Sequence, residues 1–167
     1  MTRTIVWALV ISTIAALIQS TLLSRLAILN AVPDLALGVV VYTAYVNGVM
    51  TGQTLGFASG ILLDFVSAAP LGFNALIRTL VGASAGLLKG TFFLDVAVLP
   101  MVLCALATLL KALLAWLVSL LFAGATPHYA LAAPTLWIEL AYNTVTAPAL
   151  FALLNLFKSV LRPRKDI

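Results

Sequence analysis

Residues 51–90 read TGQTLGFASGILLDFVSAAPLGFNALIRTLVGASAGLLKG, and small residues recur in this stretch at helical spacing. Steps of four residues join Gly52, Gly56, Gly60 and Asp64, and then Arg78, Gly82, Gly86 and Gly90. Side chains four apart lie on one face of a helix, and small residues on such a face permit close helix–helix contact in lipid. The two glycine stripes therefore predict a closely packed helical hairpin inside a membrane.

The composition extends this membrane prediction to the whole chain. Of its 167 residues, 63% are hydrophobic and only 8% are charged. An average soluble domain carries roughly 25% charged residues, far more than this chain has. The composition excludes a soluble enzyme, a disordered chain and a coiled coil, and it predicts one integral membrane domain over residues 1–167.

Further apolar runs lie on both sides of the hairpin, and each is predicted to be a membrane helix. A bilayer-spanning helix needs about 20 apolar residues. Only helices and closed barrels satisfy their backbone groups in lipid, and these runs lack the alternation of barrel strands. The fold class is therefore predicted as all-α, with six transmembrane helices at about residues 5–23, 35–50, 53–66, 72–88, 96–122 and 134–157.

The number of helices depends on the segment between Asp34 and Asp64, which contains no charged residue. It forms either two short helices or one long helix followed by a re-entrant piece. Two helices are favoured, because Asn47, Gly48 and Gln53 belong to a turn-like cluster. The distribution of Lys and Arg fits six helices with an inside N-terminus and five with an outside N-terminus equally well.

A short basic tail, residues 158–167, ends the chain. Its basic residues are Lys158, Arg162, Arg164 and Lys165. Both helix counts place this tail in the cytoplasm, because basic loops are retained on that side of the membrane. The net charge of +4 is therefore attributed to an anchor near anionic membrane lipid, and not to binding of nucleic acid.

The first helix carries a stripe of small residues of its own. Its members are Ala8, Ser12, Ala16, Ser20 and Ser24. Two interpretations remain open for such stripes: they either pack helices of this chain together or present a flat docking face to another membrane protein. The first helix is the best candidate for a partner face, because it starts the chain and would lie at the periphery.

Several ionisable residues lie within the predicted spanning helices, where charge is costly and usually points inward. Asp64 ends one glycine stripe and Arg78 starts the other, so the hairpin is predicted to hold them as an intramembrane polar pair or within one hydrogen-bond network. Such a pair either fixes the register of the hairpin or, less favoured, belongs to a gated ion path. Lys111 and Glu139 form a possible second polar cluster with Asn143, which is one turn beyond Glu139 and nearer in depth to Lys111.

The sequence shows no pattern of catalytic or cofactor-binding residues. His128 is the single histidine and lies in a predicted loop, and Cys104 is the single cysteine and lies in an apolar run. Neither has the neighbours that a metal site or a nucleophile–base pair requires. The glycines follow helical spacing and not that of a phosphate-binding loop. We predict a protein that is not an enzyme and that uses no metal or cofactor.

The segment from Val32 to Gly90, about a third of the chain, resembles the rod shape-determining protein MreD family of bacterial inner membranes. A Pro-Asp pair opens the second predicted helix, Leu-Leu-Asp ends the third, and Pro-Leu-Gly-Phe-Asn precedes the fourth. The residues that carry the resemblance are Pro33, Asp34, Leu62, Leu63, Asp64, Pro70, Leu71, Gly72 and Asn74.

The resemblance implies a non-catalytic, six-helix scaffold of the complex that elongates the peptidoglycan wall. It implies binding to MreC, a single-span periplasmic protein, support of a glycosyltransferase and transpeptidase pair, and an indirect link to MreB. It also implies a fold similar to the substrate-binding subunit of energy-coupling-factor transporters. The alternative function is therefore a vitamin-binding subunit of such a transporter, which would need several polar groups around one pocket.

Overall fold

The computed structural model describes residues 2–21, 25, 27, 29, 31–67, 69–91, 97–122 and 133–161. Every element named in these ranges is a helix, which confirms the predicted all-α class. The helices are α1 (Thr2–Thr21), α2 (Leu35–Asn47), α3 (Val49–Val66), α4 (Phe73–Leu87), α5 (Val98–Leu121), α6 (Pro134–Leu156) and the short α7 (Lys158–Leu161).

Four helices, namely α1, α3, α5 and α6, are long and apolar enough to cross a membrane. The apolar helices α2 and α4 are shorter, with 13 and 15 residues. At 1.5 Å per residue they extend about 20–23 Å, whereas the hydrocarbon core of a bilayer is about 30 Å thick. The described residues therefore give four candidate spans where the sequence predicts six, because turns end α2 and α4 early.

A single glycine separates α2 from α3. Gly48 has a φ of 100°, in the left-handed region that residues with a side chain rarely adopt. Its N–H donates to the carbonyl of Ala44 at 2.7 Å, and its carbonyl accepts from Gly52 at 3.0 Å, so both helices close directly on it. The structure has two helices here, and it places the break at Gly48, with Gly52 and Gln53 inside α3.

α3 and α4 pack backbone against backbone along their glycine stripes. A Cβ atom added to Gly52 would overlap the carbonyl oxygen of Gly82, and one added to Gly82 would overlap that of Gly52. Three more glycines are pressed against backbone atoms of the facing segment, namely Gly56, Gly60 and Gly86. These stripes are a contact within the chain, so the structure does not leave them open as a partner face.

α1 also turns its small-residue stripe towards the bundle, where the helix contacts α2, α3 and α7. Ala8 and Ser12 are buried, Ala16 is half-buried, and Ser20 at the end of the helix is exposed. The outward side chains are large and apolar: Val6, Trp7, Val10, Ile14 and Leu17. The buried part of the stripe is therefore a packing surface, and α1 presents a different face to its surroundings.

α2 is the central helix of the bundle. It contacts α1, α3, α4, α5 and α6, and every residue from Ala36 to Ala44 is buried. A helix that is apolar on all sides suits such a position. At its C-terminal end, Nδ2 of Asn47 donates to the carbonyl of Leu161 at 2.9 Å, which ties α2 to α7. At its other end, Asp34 lies enclosed within the bundle.

Some predicted features lie outside the part of the chain that the structure describes. They are Ser24 of the α1 stripe, His128, and Arg162, Arg164 and Lys165 of the basic tail. The first residue of that tail, Lys158, begins α7, which ends at the buried Leu161. The described end of the chain is thus packed against the bundle.

Candidate functional site

Asp34 immediately precedes α2 and is 5% exposed. Its Oδ1 accepts a hydrogen bond from the backbone N–H of Leu37 at 2.9 Å, so Asp34 is the N-cap of the helix. The first N–H groups of a helix have no partner within it, and a carboxylate there also meets the positive end of the helix dipole. The N-cap of α2 is therefore an acidic residue that is buried inside the bundle.

Arg78 of α4 and Lys111 of α5 neutralise this buried carboxylate. Nη2 of Arg78 donates to both oxygens of Asp34, at 2.8 and 2.9 Å. Nζ of Lys111 donates to Oδ2 of Asp34 at 2.9 Å. Arg78 is 3% exposed, so its charge is enclosed to the same degree as that of Asp34. One carboxylate therefore joins the start of α2 to two other helices.

Glu139 of α6 completes a charge network with Asp34, Arg78 and Lys111. Nζ of Lys111 donates to Oε1 of Glu139 at 2.5 Å, in addition to its bond with Asp34. The network holds two acidic and two basic side chains, so its formal charges cancel. Charges in a bundle interior are tolerated when they are paired, because pairing offsets their loss of hydration. The charge network therefore joins α2, α4, α5 and α6 without a net charge.

Asn143 connects the charge network to the backbone. Its Oδ1 accepts from the backbone N–H of Asp34 at 2.7 Å, and its Nδ2 donates to Oγ1 of Thr108 at 2.9 Å. Asn143 and Thr108 are both buried. The structure thus brings together Lys111, Glu139 and Asn143, which the sequence groups as a second polar cluster, and it adds Asp34 at their centre.

The predicted pair of Asp64 and Arg78 is not formed, because each residue has other partners. Arg78 binds Asp34, whereas Asp64 accepts the backbone N–H groups of Gly72 at 2.9 Å, Asn74 at 2.8 Å and Ala75 at 3.1 Å. Nδ2 of Asn74 also donates to Asp64, at 2.9 Å. The reason is geometric: Asp64 meets unpaired N–H groups at the start of α4, whereas Arg78 lies beyond the first turn.

The family-motif residues 70–74 form the turn that Asp64 holds. The carbonyl of Pro70 accepts from the N–H of Phe73 at 3.1 Å. Gly72 has a φ of 94°, which a glycine adopts without strain. Pro70 and Leu71 are exposed, so the turn is held from inside by Asp64 and presents an apolar side chain outward.

The sequence reasoning missed the central role of Asp34. Asp34 lies just outside an apolar run, so the sequence identifies Pro33 and Asp34 only as the start of a helix and as part of the family motif. The sequence does contain a signal for this role: Arg78 and Lys111 are two cations within predicted membrane helices, and each needs an acidic partner. Once Asp64 is assigned to the turn at the start of α4, the acidic residues in or next to the predicted helices that remain to neutralise them are Asp34, Asp95 and Glu139.

The side chains of the charge network bind one another, and little space is left for another molecule on the side of Asp34 that faces Asn143. The cavity beside Asp34, Thr108 and Asn143 has a volume of about 10 Å³, which is roughly the space that one water requires. Among the residues that the structure describes, no group of three or more His, Cys, Asp or Glu is placed to hold a metal ion. In chemical terms the arrangement joins helices, and it resembles neither a substrate pocket nor a metal centre.

The helices and the charge network define a class of protein, a multi-pass helical membrane protein whose interior charges neutralise one another. A family model described as rod shape-determining protein MreD matches residues 1–157 of the 167-residue chain. The chain therefore belongs to the MreD family, which confirms the resemblance seen over residues 32–90. A search of the curated proteins and a search of the solved structures found no match.

Proposed function

We propose that this protein is a non-catalytic scaffold of the cell-wall elongation complex in the bacterial inner membrane. In this role it binds MreC, supports the peptidoglycan glycosyltransferase and transpeptidase, and acts indirectly with MreB. The observation that carries the proposal is the family match, which spans residues 1–157. Because this range includes α1 to α6 entirely, the whole bundle and not a single motif supports a role in rod shape.

The proposed topology has six membrane spans and a cytoplasmic C-terminus. α2 is shorter than the hydrocarbon core is thick. Because it contacts α1, α3, α4, α5 and α6, these helices shield its ends from lipid. Lys158 follows the last long helix, and a basic residue at that position favours the cytoplasmic side. Six helices also agree with the proposed likeness to the substrate-binding subunit of energy-coupling-factor transporters.

A scaffold accounts for the charge network better than a vitamin-binding subunit does. A vitamin site needs polar groups that are free to converge on the ligand. In the described part of the chain, Asp34, Arg78, Lys111, Glu139 and Asn143 bind one another. The cavity beside Asp34, Thr108 and Asn143 has about 10 Å³, which is too little for a vitamin, and the larger cavity that Arg78 lines has a mainly apolar wall. The network is therefore assigned to holding the helices together.

The proposed contact with MreC is the apolar surface around the α3–α4 turn. Phe65, Val66 and Leu71 are 71%, 81% and 70% exposed. The turn is held from inside by the hydrogen bonds to Asp64, so these side chains keep defined positions. A few large side chains in fixed positions are the usual centre of a protein–protein contact.

Co-purification with MreC from detergent-solubilised membranes tests this function. We expect wild-type protein to retain MreC, and the double variant Phe65→Ala with Leu71→Ala to lower its recovery about tenfold or more, since truncating central contact residues commonly removes that much affinity. The matched control is Leu120→Ala with Leu121→Ala, which removes exposed apolar side chains from α5. The control should retain MreC as wild type does.

Two results would contradict this account. If wild-type protein recovers no more MreC than an unrelated multi-pass protein, the scaffold function is wrong. If both double variants retain MreC equally, the surface around the α3–α4 turn is not the contact. Membrane levels of each variant are measured first, so that loss of MreC is not confused with loss of the protein.

A further inference from the structure

A second cavity lies between α1 and α3, and Arg78 forms part of its wall. Its volume is about 150 Å³, well above the roughly 10–15 Å³ that one water needs. It is separate from the small cavity beside Asn143, which is lined by α2, α5 and α6. The proposed MreC contact shares Val66 at the mouth of this second cavity but makes no use of its interior.

Arg78, which lines this cavity, has a hydrogen-bond donor without a partner in the described part of the chain. Its Nη2 is bound to Asp34, but its Nη1 is buried and has no acceptor among the described residues. A buried donor on a charged group is costly when it lacks a partner. An acceptor from outside the chain would satisfy it, and the cavity that Arg78 lines offers the space.

The rest of the lining is suited to an amphiphilic molecule. Ser12, Gln19 and Ser59 contribute polar groups to the wall, whereas much of the remaining surface is apolar. Leu17 and Val66 line the same cavity and are 57% and 81% exposed. The cavity therefore opens at the outer surface of the bundle, between two helices that are candidate membrane spans.

The charge network also limits the kind of acceptor that fits. Asp34, Arg78, Lys111 and Glu139 already balance one another, so no full negative charge is missing. An oxygen that accepts a hydrogen bond is sufficient, and the apolar mouth requires that this oxygen be attached to hydrocarbon.

We propose that the cavity between α1 and α3 binds the polar end of a membrane lipid. A phosphate or ester oxygen of the lipid accepts a hydrogen bond from Nη1 of Arg78, and the acyl chain lies along Leu17, Leu62 and Val66. The lipid enters sideways from the bilayer, because the exposed lining residues lie on the outside of the bundle.

Native mass spectrometry of the full chain, released from lipid nanodiscs, tests this proposal. One set of discs contains phosphatidylglycerol, and a second set contains diacylglycerol with the same chains in a phosphatidylcholine background. We expect wild-type protein to retain one lipid, and Ala16→Leu to lower the lipid-bound fraction at least tenfold by filling the cavity (a tenfold change is about 1.4 kcal/mol). The mass identifies the retained lipid: retention of phosphatidylglycerol or phosphatidylcholine without diacylglycerol assigns the phosphate oxygen, and retention of diacylglycerol as well assigns the ester oxygen.

The matched control is Ser84→Leu, which narrows a separate apolar cavity of about 200 Å³ between α4 and α5. It should retain the lipid as wild type does. Arg78→Lys is a second test, because it keeps a positive charge beside Asp34 but removes the second terminal nitrogen. We expect it to lower the lipid-bound fraction while the protein stays folded.

Four results would overturn the proposal. Wild-type protein would carry no lipid, or Ala16→Leu and Ser84→Leu would retain it equally. Alternatively, inorganic phosphate added in detergent would displace the lipid, which would identify a site for a free ion. Loss of a co-purifying protein in Ala16→Leu, without any loss of lipid, would assign the cavity to a protein partner instead.

Discussion

Asp34 is the residue that links the local sequence to the interior of the whole bundle. It caps α2 through Leu37, binds Arg78 and Lys111 with its carboxylate, and donates its backbone N–H to Asn143. Each of these partners lies on a different helix. Removing its negative charge would leave the buried Arg78 and the partly buried Lys111 with a single acidic partner in the network, Glu139.

We expect Asp34→Asn to lower the free energy of unfolding by about 3–5 kcal/mol, because it removes one partner of a buried ion pair. Asparagine still caps a helix, so the loss reports the charge and not the cap. The measurement is denaturant unfolding in detergent micelles. Glu139→Gln is the control and should cost less, since Glu139 is more exposed than Asp34.

A double variant, Asp34→Asn with Arg78→Gln, separates charge balance from packing. It removes one negative and one positive charge, so the network is neutral again. We expect it to recover part of the lost stability. A double variant less stable than Asp34→Asn alone would show that net charge is not what Asp34 controls.

The sequence predicts part of this site because depth along a helix can be counted. Lys111, Glu139 and Asn143 are grouped by their positions in two adjacent runs, and the structure places all three around Asp34. The pairing of Asp64 with Arg78 is wrong, because helix depth does not indicate which N–H groups lack a partner. The contact between Asp34 and Arg78 cannot be predicted from helix depth, because it depends on the position of α2 at the centre of the bundle.

The hairpin of α3 and α4 is the element whose sequence pattern is most informative. Glycine every four residues predicts a close helix contact, and the structure shows the backbones meeting at Gly52 and Gly82. The pattern does not indicate which helix packs against each stripe. The sequence therefore could not distinguish packing within the chain from docking of a partner protein. It also does not locate the break before α3, because both Gly48 and Gly52 are compatible with a turn.

We expect Gly56→Leu to abolish folding of the hairpin, since a side chain there would overlap the carbonyl of Arg78. Overpacking usually costs about 1–3 kcal/mol, and here the neighbour is backbone, which cannot move aside as a side chain can. The measurement is the monodisperse fraction in detergent gel filtration. Thr54→Leu, on the exposed face of α3, is the control and should behave like wild type. A monodisperse Gly56→Leu protein would contradict the close contact.

Composition, charge pairing and family membership all indicate that the whole molecule is a helical bundle in a membrane. The scarcity of charge predicts a membrane protein, and the structure provides four helices long enough to span a bilayer. The number of spans was less predictable, because it depends on turns that shorten α2 and α4 to 13 and 15 residues. The role in rod shape comes from the family match over residues 1–157, and neither composition nor periodicity contains that information.

Depletion of the protein in its own bacterium tests the assigned role most directly, with the ratio of cell length to width as the measurement. We expect rods to shorten and become round as the protein disappears, and a plasmid copy of the wild-type gene to restore them. The Gly56→Leu copy should not restore them, whereas the Thr54→Leu copy should. Cells that keep an unchanged length-to-width ratio after complete depletion would contradict a role in rod shape.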